Sequence, residues 1–236
     1  EDNDGDGKED DLISSGYFIG KTLGTIYGYK VIGMWQQEDV DNGTIMDGMR
    51  PGDYKLEDVD GDGKITSDKD RQFLGTSKEN FRWSLTNTLE YKDFSLMIYI
   101  NSIWGGNGYF QSGSNTPYYD EYINSAAHNR TVFDYWTPRN TDAKYPRLDY
   151  NSNARYKGTK YMDRSFIKLQ KVALSYDLSR FVKRFGFNNM RLSLSADNLL
   201  TFAPHWDGLD PETGSGLTIS SSPSIRTYQM TLLFNF

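Results

Sequence analysis

Apolar and polar residues alternate with a period of two along much of this chain, and that pattern is typical of β-strands. The alternation is clear over residues 81–91, where only Asn87 interrupts an otherwise apolar face. Residues 94–104 repeat it after a connection made of Lys92 and Asp93. Two long strands joined by so short a turn predict a β-hairpin.

Three more segments carry the same alternation. Residues 164–176 show it at their C-terminal end, whereas Lys168–Lys171 blur it and predict a β-bulge. Residues 190–197 set Met, Leu and Ala against Arg, Ser and Asp without exception. Residues 25–35 are a weaker candidate strand, with one side formed by Tyr27, Tyr29, Val31 and Trp35.

The last segment, residues 227–236, alternates up to its final aromatic residue. In a soluble protein it would be an edge strand. In a membrane barrel the last strand must pair, because an unpaired strand would leave backbone groups unsatisfied in lipid. The barrel interpretation therefore predicts that this strand closes the barrel, through a face that includes Tyr228, Phe234 and Phe236.

The lengths of the strands and of their connections favour a transmembrane β-barrel over a soluble β-sandwich. Strands in soluble sheets have roughly 5–6 residues, whereas a tilted strand needs about 9–11 to cross a bilayer, and the predicted strands match the second value. The connections 38–80, 105–163 and 201–225 are long, and 92–93 and 178–188 are short. Long loops at one end and short turns at the other are typical of outer-membrane barrels.

Composition excludes several classes of protein. The net charge of −6 and the absence of any basic run argue against a nucleic-acid partner. The chain has no cysteine, which excludes disulfides and thiolate metal sites. It begins with "EDNDGDGKEDD", with neither an initiator Met nor a visible signal peptide, so we expect it to start inside a longer precursor. We predict that residues 1–15 form an acidic, mobile segment.

The stretch "DVDGDGKITSDKD", residues 58–70, has the composition of a calcium loop. A hard cation takes oxygen ligands at positions 1, 3 and 5 of such a loop, and a glycine at position 6 makes the bend. Asp58, Asp60, Asp62 and Gly63 meet that requirement.

The far end of the same stretch departs from an EF-hand. An EF-hand places a bidentate glutamate at position 12, where this chain has Lys69 between Asp68 and Asp70. Two interpretations stay open. In the first, the Lys64 carbonyl and either Asp68 or Asp70 complete a Ca²⁺ cage. In the second, the carboxylates cap turns through Asx hydrogen bonds and stay solvated.

No catalytic constellation is visible, so we predict that the chain is not an enzyme. The two histidines, His128 and His205, both fall in predicted loops, and there is no serine-centred elbow or H-E-x-x-H motif. Asp210 and Glu212 flank a proline and are interpreted as turn formers. Trp83 and Trp104 lie at strand ends, which is typical of an interfacial aromatic girdle.

Several stretches, in this order, resemble the C-terminal part of SusC/RagA-type TonB-dependent transporters of Bacteroidota outer membranes. The likeness covers nearly all of residues 16–236, and the whole series is far more specific than any one of its members. The stretches are "LGTIYGYKVIGMWQ", "PGDYKLEDVDGDGKITSDKDRQFLG", "NTLEYKDFSLMIYI", "YWTPRNTDAKYPRL", "SFIKLQKVALSYDL" and "SADNLLTFAPHWDGLDPE".

This resemblance implies about the last six strands of a 22-stranded barrel in the outer membrane. The partners that it implies are the rest of the barrel and its plug, TonB, outer-membrane lipid, and a SusD-like surface lipoprotein. The implied substrates are glycan or peptide fragments. The loops 38–80, 105–163 and 201–225 are then extracellular, and the acidic loop faces the outside.

The aromatic residues of the second long loop would then touch substrate or the lipoprotein, or pack the loop on itself. They are Tyr109, Phe110, Tyr118, Tyr119 and Tyr122. The alternative function is a secreted, soluble β-sandwich that binds carbohydrate and carries a dockerin-like calcium loop.

Overall fold

The computed structural model describes residues 9–108, 134–147, 149–186, 188–206, 210–212 and 224–235, together with Gly5 and Gly7. The chain divides into two compact units. The first, which we call the loop unit, comprises Glu1–Lys78, Gly106–Asp163 and Gly214–Ser221. The second, the strand unit, comprises Glu79–Gly105, Arg164–Thr213 and Ser222–Phe236.

The described residues form eleven strands and three short helices. In chain order they are β1 (Thr25–Tyr29), β2 (Val31–Met34), α1 (Gln37–Asp41), β3 (Tyr54–Leu56), β4 (Arg71–Thr76), β5 (Phe81–Tyr91), β6 (Phe94–Trp104), β7 (Asn107–Gly108), α2 (Tyr150–Asn153), β8 (Met162–Asp163), β9 (Phe166–Asp177), α3 (Ser179–Val182), β10 (Asn189–Phe202) and β11 (Thr227–Asn235). Within these residues, no helix is long and apolar enough to cross a membrane.

The strand unit is built on one antiparallel sheet of five strands, in the order β11-β10-β9-β6-β5. The predicted hairpin is confirmed, because β5 and β6 pair along their whole length from Phe81↔Trp104 to Tyr91↔Phe94. Lys92 takes the left-handed conformation that so tight a turn requires, with φ of 54°. The short connection 178–188 contains α3 and a single turn of 3₁₀ helix.

The register separates apolar from polar residues across all five strands. One row across the sheet joins Leu89, Leu96, Leu174, Leu194 and Met230. We call the side that carries this row the apolar face. Its side chains are not covered, since Leu89 is 57% exposed and Met230 is 72% exposed. In water so large an apolar face would be unfavourable.

The next row along, on the opposite side, joins Glu90, Ser95, Ser175, Ser193 and Thr231. We call this side the polar face. Two of its hydroxyl groups, those of Ser175 and Ser193, form a hydrogen bond of 2.8 Å. Because successive residues of a strand point to opposite sides, the alternation in the sequence becomes a sheet with one apolar and one polar face.

The predicted bulge lies at Gln170. On the neighbouring strand β6, Tyr99 pairs with Lys171 and Ile100 pairs with Leu169, which leaves Gln170 as an extra residue. The extra residue shifts the alternation by one position. Lys168 and Lys171 therefore both lie on the polar face, and this shift explains why the sequence pattern is blurred there.

The prediction of a single strand over residues 25–35 is wrong. The segment breaks at Lys30 into β1, which pairs with β4, and β2, which pairs with β3. Both pairs are separate two-stranded sheets, so the sheet of the strand unit has five strands and not six. The alternation was real, but the partners of its two halves lie inside the connection 38–80.

The residues expected on one side of that strand also take up different surroundings. Tyr27 packs against Phe18 and Phe73, with ring centroids 5.0 Å away in each case. Trp35 lies instead in the main core of the loop unit. Tyr29 and Val31 pack against that same core, so the four residues do not form one side of a single strand.

The core of the loop unit is shared by two of the predicted long loops. Trp35, Met49, Tyr54, Leu56 and Ile65 supply one part of it. Tyr150 and Ala154, from the connection 105–163, supply the rest. The two segments come together at Gly52, whose carbonyl accepts a 2.9 Å hydrogen bond from the Arg147 amide. A Cβ at Gly52 would lie 2.5 Å from the Trp136 ring, so only glycine fits there.

Candidate functional site

The acidic loop, residues 58–70, joins β3 to β4 in the loop unit. The Asp58 carboxylate accepts hydrogen bonds of 2.8 Å from the amides of Gly61 and Gly63. These glycines have φ of 74° and 77°, a conformation that favours glycine. Asp62 accepts a 2.9 Å bond from the Lys64 amide in the same manner. The first half of the loop is thus a series of Asx turns.

Asp70 closes the loop from its far end. Its side chain is fully buried. One carboxylate oxygen accepts a 2.8 Å bond from the Val59 amide, and the other accepts a 2.6 Å bond from the Thr66 amide. Of the two acids predicted at this end, Asp70 therefore faces the loop interior, whereas Asp68 is exposed.

Three of the predicted ligands come together. Asp58, Asp60 and Asp70 each offer a carboxylate oxygen, and these oxygens lie within 4.8 Å of one another. Asp62 and Asp68 are not members of this group. A set of three carboxylate oxygens suits a hard divalent cation such as Ca²⁺.

The ammonium group of Lys69 competes for the same carboxylates. It lies 2.7 Å from an Asp60 oxygen and 3.4 Å from an Asp62 oxygen. The hydrogen bond from Lys69 is the main cause that lowers the pKa of Asp60 below its usual value. The hydrogen bond to Asp60, and after it the hydrogen bond to Asp62, raises the pKa of Lys69. A cation at this site would therefore have to displace the lysine.

Aromatic side chains stand at both ends of the apolar face. At the end remote from the Lys92–Asp93 turn, the rings of Phe81 and Trp104 stack with centroids 6.4 Å apart. At the other end, Phe94 packs against Tyr176 at 4.4 Å. Aliphatic rows lie between them. Two aromatic bands around an aliphatic zone are the arrangement of outer-membrane barrels.

The structure describes some of the other residues singled out in the sequence and leaves the rest outside its described ranges. Of the residues predicted to close the barrel, Tyr228 and Phe234 lie in β11, at the edge of the sheet, where they pair with Ala196 and Met190. His205 is exposed. Several others lie outside the described residues: Tyr109, Phe110, Tyr118, Tyr119, Tyr122, His128 and Phe236.

The structure reveals a buried charged cluster that the sequence did not predict. Lys168, in β9, is 1% exposed, and its Nζ lies 3.3 Å from both oxygens of Asp210. The same Nζ lies 2.8 Å from Glu212 Oε2. Asn101 donates a 3.1 Å hydrogen bond to the other Glu212 oxygen. The two acids interpreted as turn formers are therefore joined to the sheet.

Asp210 is the most constrained member of this cluster. It accepts hydrogen bonds from the Ser224 hydroxyl and, at 2.9 Å, from the Glu212 amide. Burial by itself raises the pKa of Asp210, but these hydrogen bonds and the Lys168 charge outweigh it and hold the pKa below its usual value. The only signal in the sequence is a lysine inside an otherwise apolar run, which does not identify its partner.

Comparison with known proteins finds TonB-dependent receptors among the similar sequences. No family model matches the chain. It is 30% identical to TonB-dependent receptor P3 of Formosa agariphila over 237 aligned positions, which cover 92% of this chain and 22% of that receptor. TonB-dependent receptor P26 of the same organism is 29% identical over 224 positions, which cover 86% of this chain and 21% of P26.

The chain is similar to TonB-dependent receptors over 92% of its own length. The resemblance predicted from the sequence is thereby confirmed. The chain spans about a fifth of the length of these receptors. They are named as receptors and not as enzymes, in agreement with the prediction that the chain is not an enzyme.

Solved structures show the same fold. The RagAB peptide transporter matches with a TM-score of 0.61 and 19% identity, over 90% of this chain and 23% of the solved chain. The RagAB peptide importer in its open-open state matches with the same TM-score and 16% identity, over 93% of this chain and 24% of the solved chain. The five-stranded sheet is thus part of a large transmembrane β-barrel, which argues against the soluble β-sandwich.

The barrel fold assigns the two faces of the sheet. In an outer-membrane barrel the apolar face contacts lipid and the polar face lines the interior. The exposed Leu89 and Met230 are therefore lipid-facing. Lys168 and Asn101 lie on the face that lines the interior, and so does the segment that they bind.

Proposed function

We propose that this chain forms part of the barrel of a TonB-dependent transporter that imports nutrients across the outer membrane. The observation that carries the proposal is the five-stranded sheet with one apolar and one polar face, in a chain related to TonB-dependent receptors. A transport path needs a polar interior, and lipid needs an apolar exterior. The energy would come from TonB.

The proposed orientation places the short connections 92–93 and 178–188 in the periplasm. The long connections 38–80, 105–163 and 201–225 then face the outside, as is usual in outer-membrane barrels. The shared core of the loop unit supports this arrangement, because two long extracellular loops with a common core can present a stable surface to the medium.

The proposed substrates are fragments of glycans or of peptides. RagAB, whose fold this chain shares, is a peptide transporter. The Formosa agariphila relatives are named as receptors without a substrate. We therefore keep both substrate classes in the proposal, and the experiment below compares them directly.

The proposed partner is a SusD-like surface lipoprotein that covers the extracellular side. The solved relative RagAB is a two-component assembly by its name, which supports a partner of this kind. The loop aromatics from Tyr109 to Tyr122 are the candidate contacts for this lipoprotein or for substrate.

The proposal also includes a cation at the acidic loop. Asp58, Asp60 and Asp70 supply three oxygens in reach of one ion. A divalent cation there would join the two ends of the loop and stiffen it. Lys69 takes the place of the acid that closes an EF-hand cage, so we expect the affinity to be modest.

Gene deletion in the host tests the transport proposal. Cells without the complete protein should lose uptake of labelled oligosaccharides or of labelled oligopeptides, and the class that is lost identifies the substrate. A plasmid copy of the wild-type gene should restore uptake. Normal uptake of both classes in the deletion strain would overturn the proposal.

Purification of the complete protein tests the partner. In mild detergent, a tagged protein should retain one lipoprotein at a fixed molar ratio. Isolation of the barrel without any lipoprotein, under conditions that keep it folded, would remove the SusD-like partner from the proposal.

A further inference from the structure

The buried cluster around Lys168 joins the barrel wall to a segment that lies far along the chain. Residues 210–212, which we call the strap, belong to the connection between β10 and β11. Lys168 lies in β9, and 42 residues separate it from Asp210. The contact is thus a long-range link and does not belong to the pairing of adjacent strands.

Among the five described strands of the sheet, Lys168 faces no charged residue on either neighbouring strand. Its neighbours there are Asn101 in β6 and Thr201 in β10. Neither side chain carries a charge. A buried ammonium group without an anion would be very unfavourable. The strap supplies the carboxylates that the neighbouring strands lack.

Lys171, one row further along the polar face, is paired with an acid of a neighbouring strand instead of a loop. It pairs at 3.6 Å with Asp197, which faces it from β10. Both side chains of this pair are about one-third exposed. This lysine is thus neutralised inside the wall and holds no loop, which makes it a matched control for Lys168.

The strap is fixed at more points than one ion pair provides. Asn101 binds Glu212, and the Ser224 hydroxyl binds Asp210 from the far side of the connection. Pro211, between the two acids, is buried. A loop exposed to solvent would need none of these contacts, because water would donate hydrogen bonds to its carboxylates.

We infer that Lys168 is a positioning residue that holds the strap, residues 210–212, against the inner wall of the barrel. The strap then forms the wall at the end of the sheet remote from the Lys92–Asp93 turn, which is the outer end in the proposed orientation. Its carboxylates and Pro211 take the place of bare strands there. The strap thereby sets the width of the interior at that level. Its consequence for import rests on the proposed transport function.

Thiol accessibility tests the position of the strap without requiring any substrate. The chain has no cysteine, so Pro211→Cys in the complete protein gives one reactive group on the strap once any cysteine elsewhere has been replaced by serine. Intact cells are treated with a membrane-impermeant maleimide. We expect the introduced thiol to react slowly while Lys168 is present.

Two lysine variants in the Pro211→Cys background separate a specific anchor from a general effect of charge. Lys168→Met should release the strap and raise the labelling rate about tenfold or more, because the buried Asp210 and the partly exposed Glu212 lose their cation. Lys171→Met should leave the rate unchanged. Fast labelling with Lys168 in place, or equal rates in the two variants, would overturn the inference.

A second variant keeps the test valid if Lys168→Met does not assemble, as shown by the loss of its heat-modifiable band. Asp210→Asn removes a charge and leaves the lysine in place, and it should also speed the labelling. Lys168→Arg should retain the protection. If labelling is as slow in Asp210→Asn as in the parent, the ion pair with Lys168 does not hold the strap.

Import measurements separate this inference from the proposed function. If the protein imports a substrate, Lys168→Met should change the KM for import more than the maximal rate, at equal surface amounts. If labelling follows the expected pattern but no import is found, the strap stands and the transport proposal fails. If import is found but the labelling is uniform, the strap fails and transport stands.

Discussion

Asp53 and Arg147 lie 94 residues apart in the chain and meet through a 2.5 Å contact between Oδ1 and Nε inside the loop unit. The Asp53 side chain is fully buried, and that of Arg147 is nearly so. The same arginine also binds the Asp149 carboxylate. This ion pair joins the connection 38–80 to the connection 105–163, and it makes the two loops one folded body.

Removal of Asp53 should destabilise the loop unit strongly. Asp53→Ala leaves the buried Arg147 without this partner, and such a loss costs about 3–5 kcal/mol of the free energy of unfolding. The measurement is the rate of proteolysis within residues 38–80 in the complete, purified protein.

Asp47→Ala is the matched control for that change. Asp47 pairs with Arg155, but its side chain is 95% exposed. Surface pairs of this kind contribute about 0–1 kcal/mol, so proteolysis should stay close to that of the parent. Similar proteolysis of the Asp53 and Asp47 variants would show that the buried pair does not hold the loops together.

An arginine on the apolar face should interfere with insertion into lipid. Leu85→Arg or Ile98→Arg should lower the free energy of unfolding in bilayers by about 2–4 kcal/mol, because the charge would lie near the membrane midplane. Thr86→Arg, on the polar face next to Leu85, should cost much less. If all three variants fold into bilayers as well as the parent, the hairpin does not cross the membrane.

Deletion of residues 227–236 should block assembly of the barrel. β11 pairs with β10 from Asn189↔Asn235 to Asp197↔Thr227, and without it the edge of β10 would be unpaired in lipid, where no water satisfies the backbone. The amount of folded protein at the cell surface is the readout. Phe236→Asp should also reduce that amount, whereas Phe236→Leu should not. Normal surface levels of the truncated protein would contradict the barrel-closing role of this strand.

Calcium at millimolar concentration should protect the acidic loop from proteolysis, and a chelator should reverse the effect. Asp58→Asn together with Asp60→Asn should abolish the protection, since two of the three convergent carboxylates are lost. Lys69→Glu should strengthen it, because a glutamate then stands at position 12 of the loop. Identical cleavage with calcium and with chelator would leave the solvated turn as the correct interpretation.

Acidification should release the strap. The folded pKa of Asp210 is lowered, so its stabilising effect is complete above the ordinary carboxyl pKa of about 4 and is lost as the pH falls through the lowered value. The charged groups facing Asp210 are Lys168 and Glu212.

The thiolate is the form that reacts with maleimide, and it becomes scarcer in acid, so the labelling rate of the purified Pro211→Cys variant is divided at each pH by that of free cysteine. This relative rate should rise only at strongly acidic pH. When Asp210→Asn is added to that variant, the rate should be higher at neutral pH and should change less on acidification. A relative labelling rate that is independent of pH while Asp210 is present would show that the ionised Asp210 does not hold the strap.

The sequence by itself determined the local features of this protein. Alternation of apolar and polar residues indicated the hairpin 81–104 and the strands β9 to β11, because side chains of a strand repeat every two residues whatever its partner. The blurred run at Lys168–Lys171 indicated the bulge in the same way. The order of its motifs indicated the resemblance to TonB-dependent transporters.

Only the tertiary structure decided which segments meet. Residues 25–35 alternate as one strand would, yet their two halves pair with strands that begin at Tyr54 and Arg71. Whether a strand continues depends on its hydrogen-bonding partners, and the period of its own side chains carries no information about them.

The same holds for the charged contacts. Asp210 and Lys168 are 42 residues apart, and Asp53 and Arg147 are 94 apart. In the sequence, Asp210 looked like a turn former beside a proline. The sequence does not distinguish a buried aspartate from a solvated one. Burial makes the pairing with a cation necessary, and burial is a property of the folded chain alone.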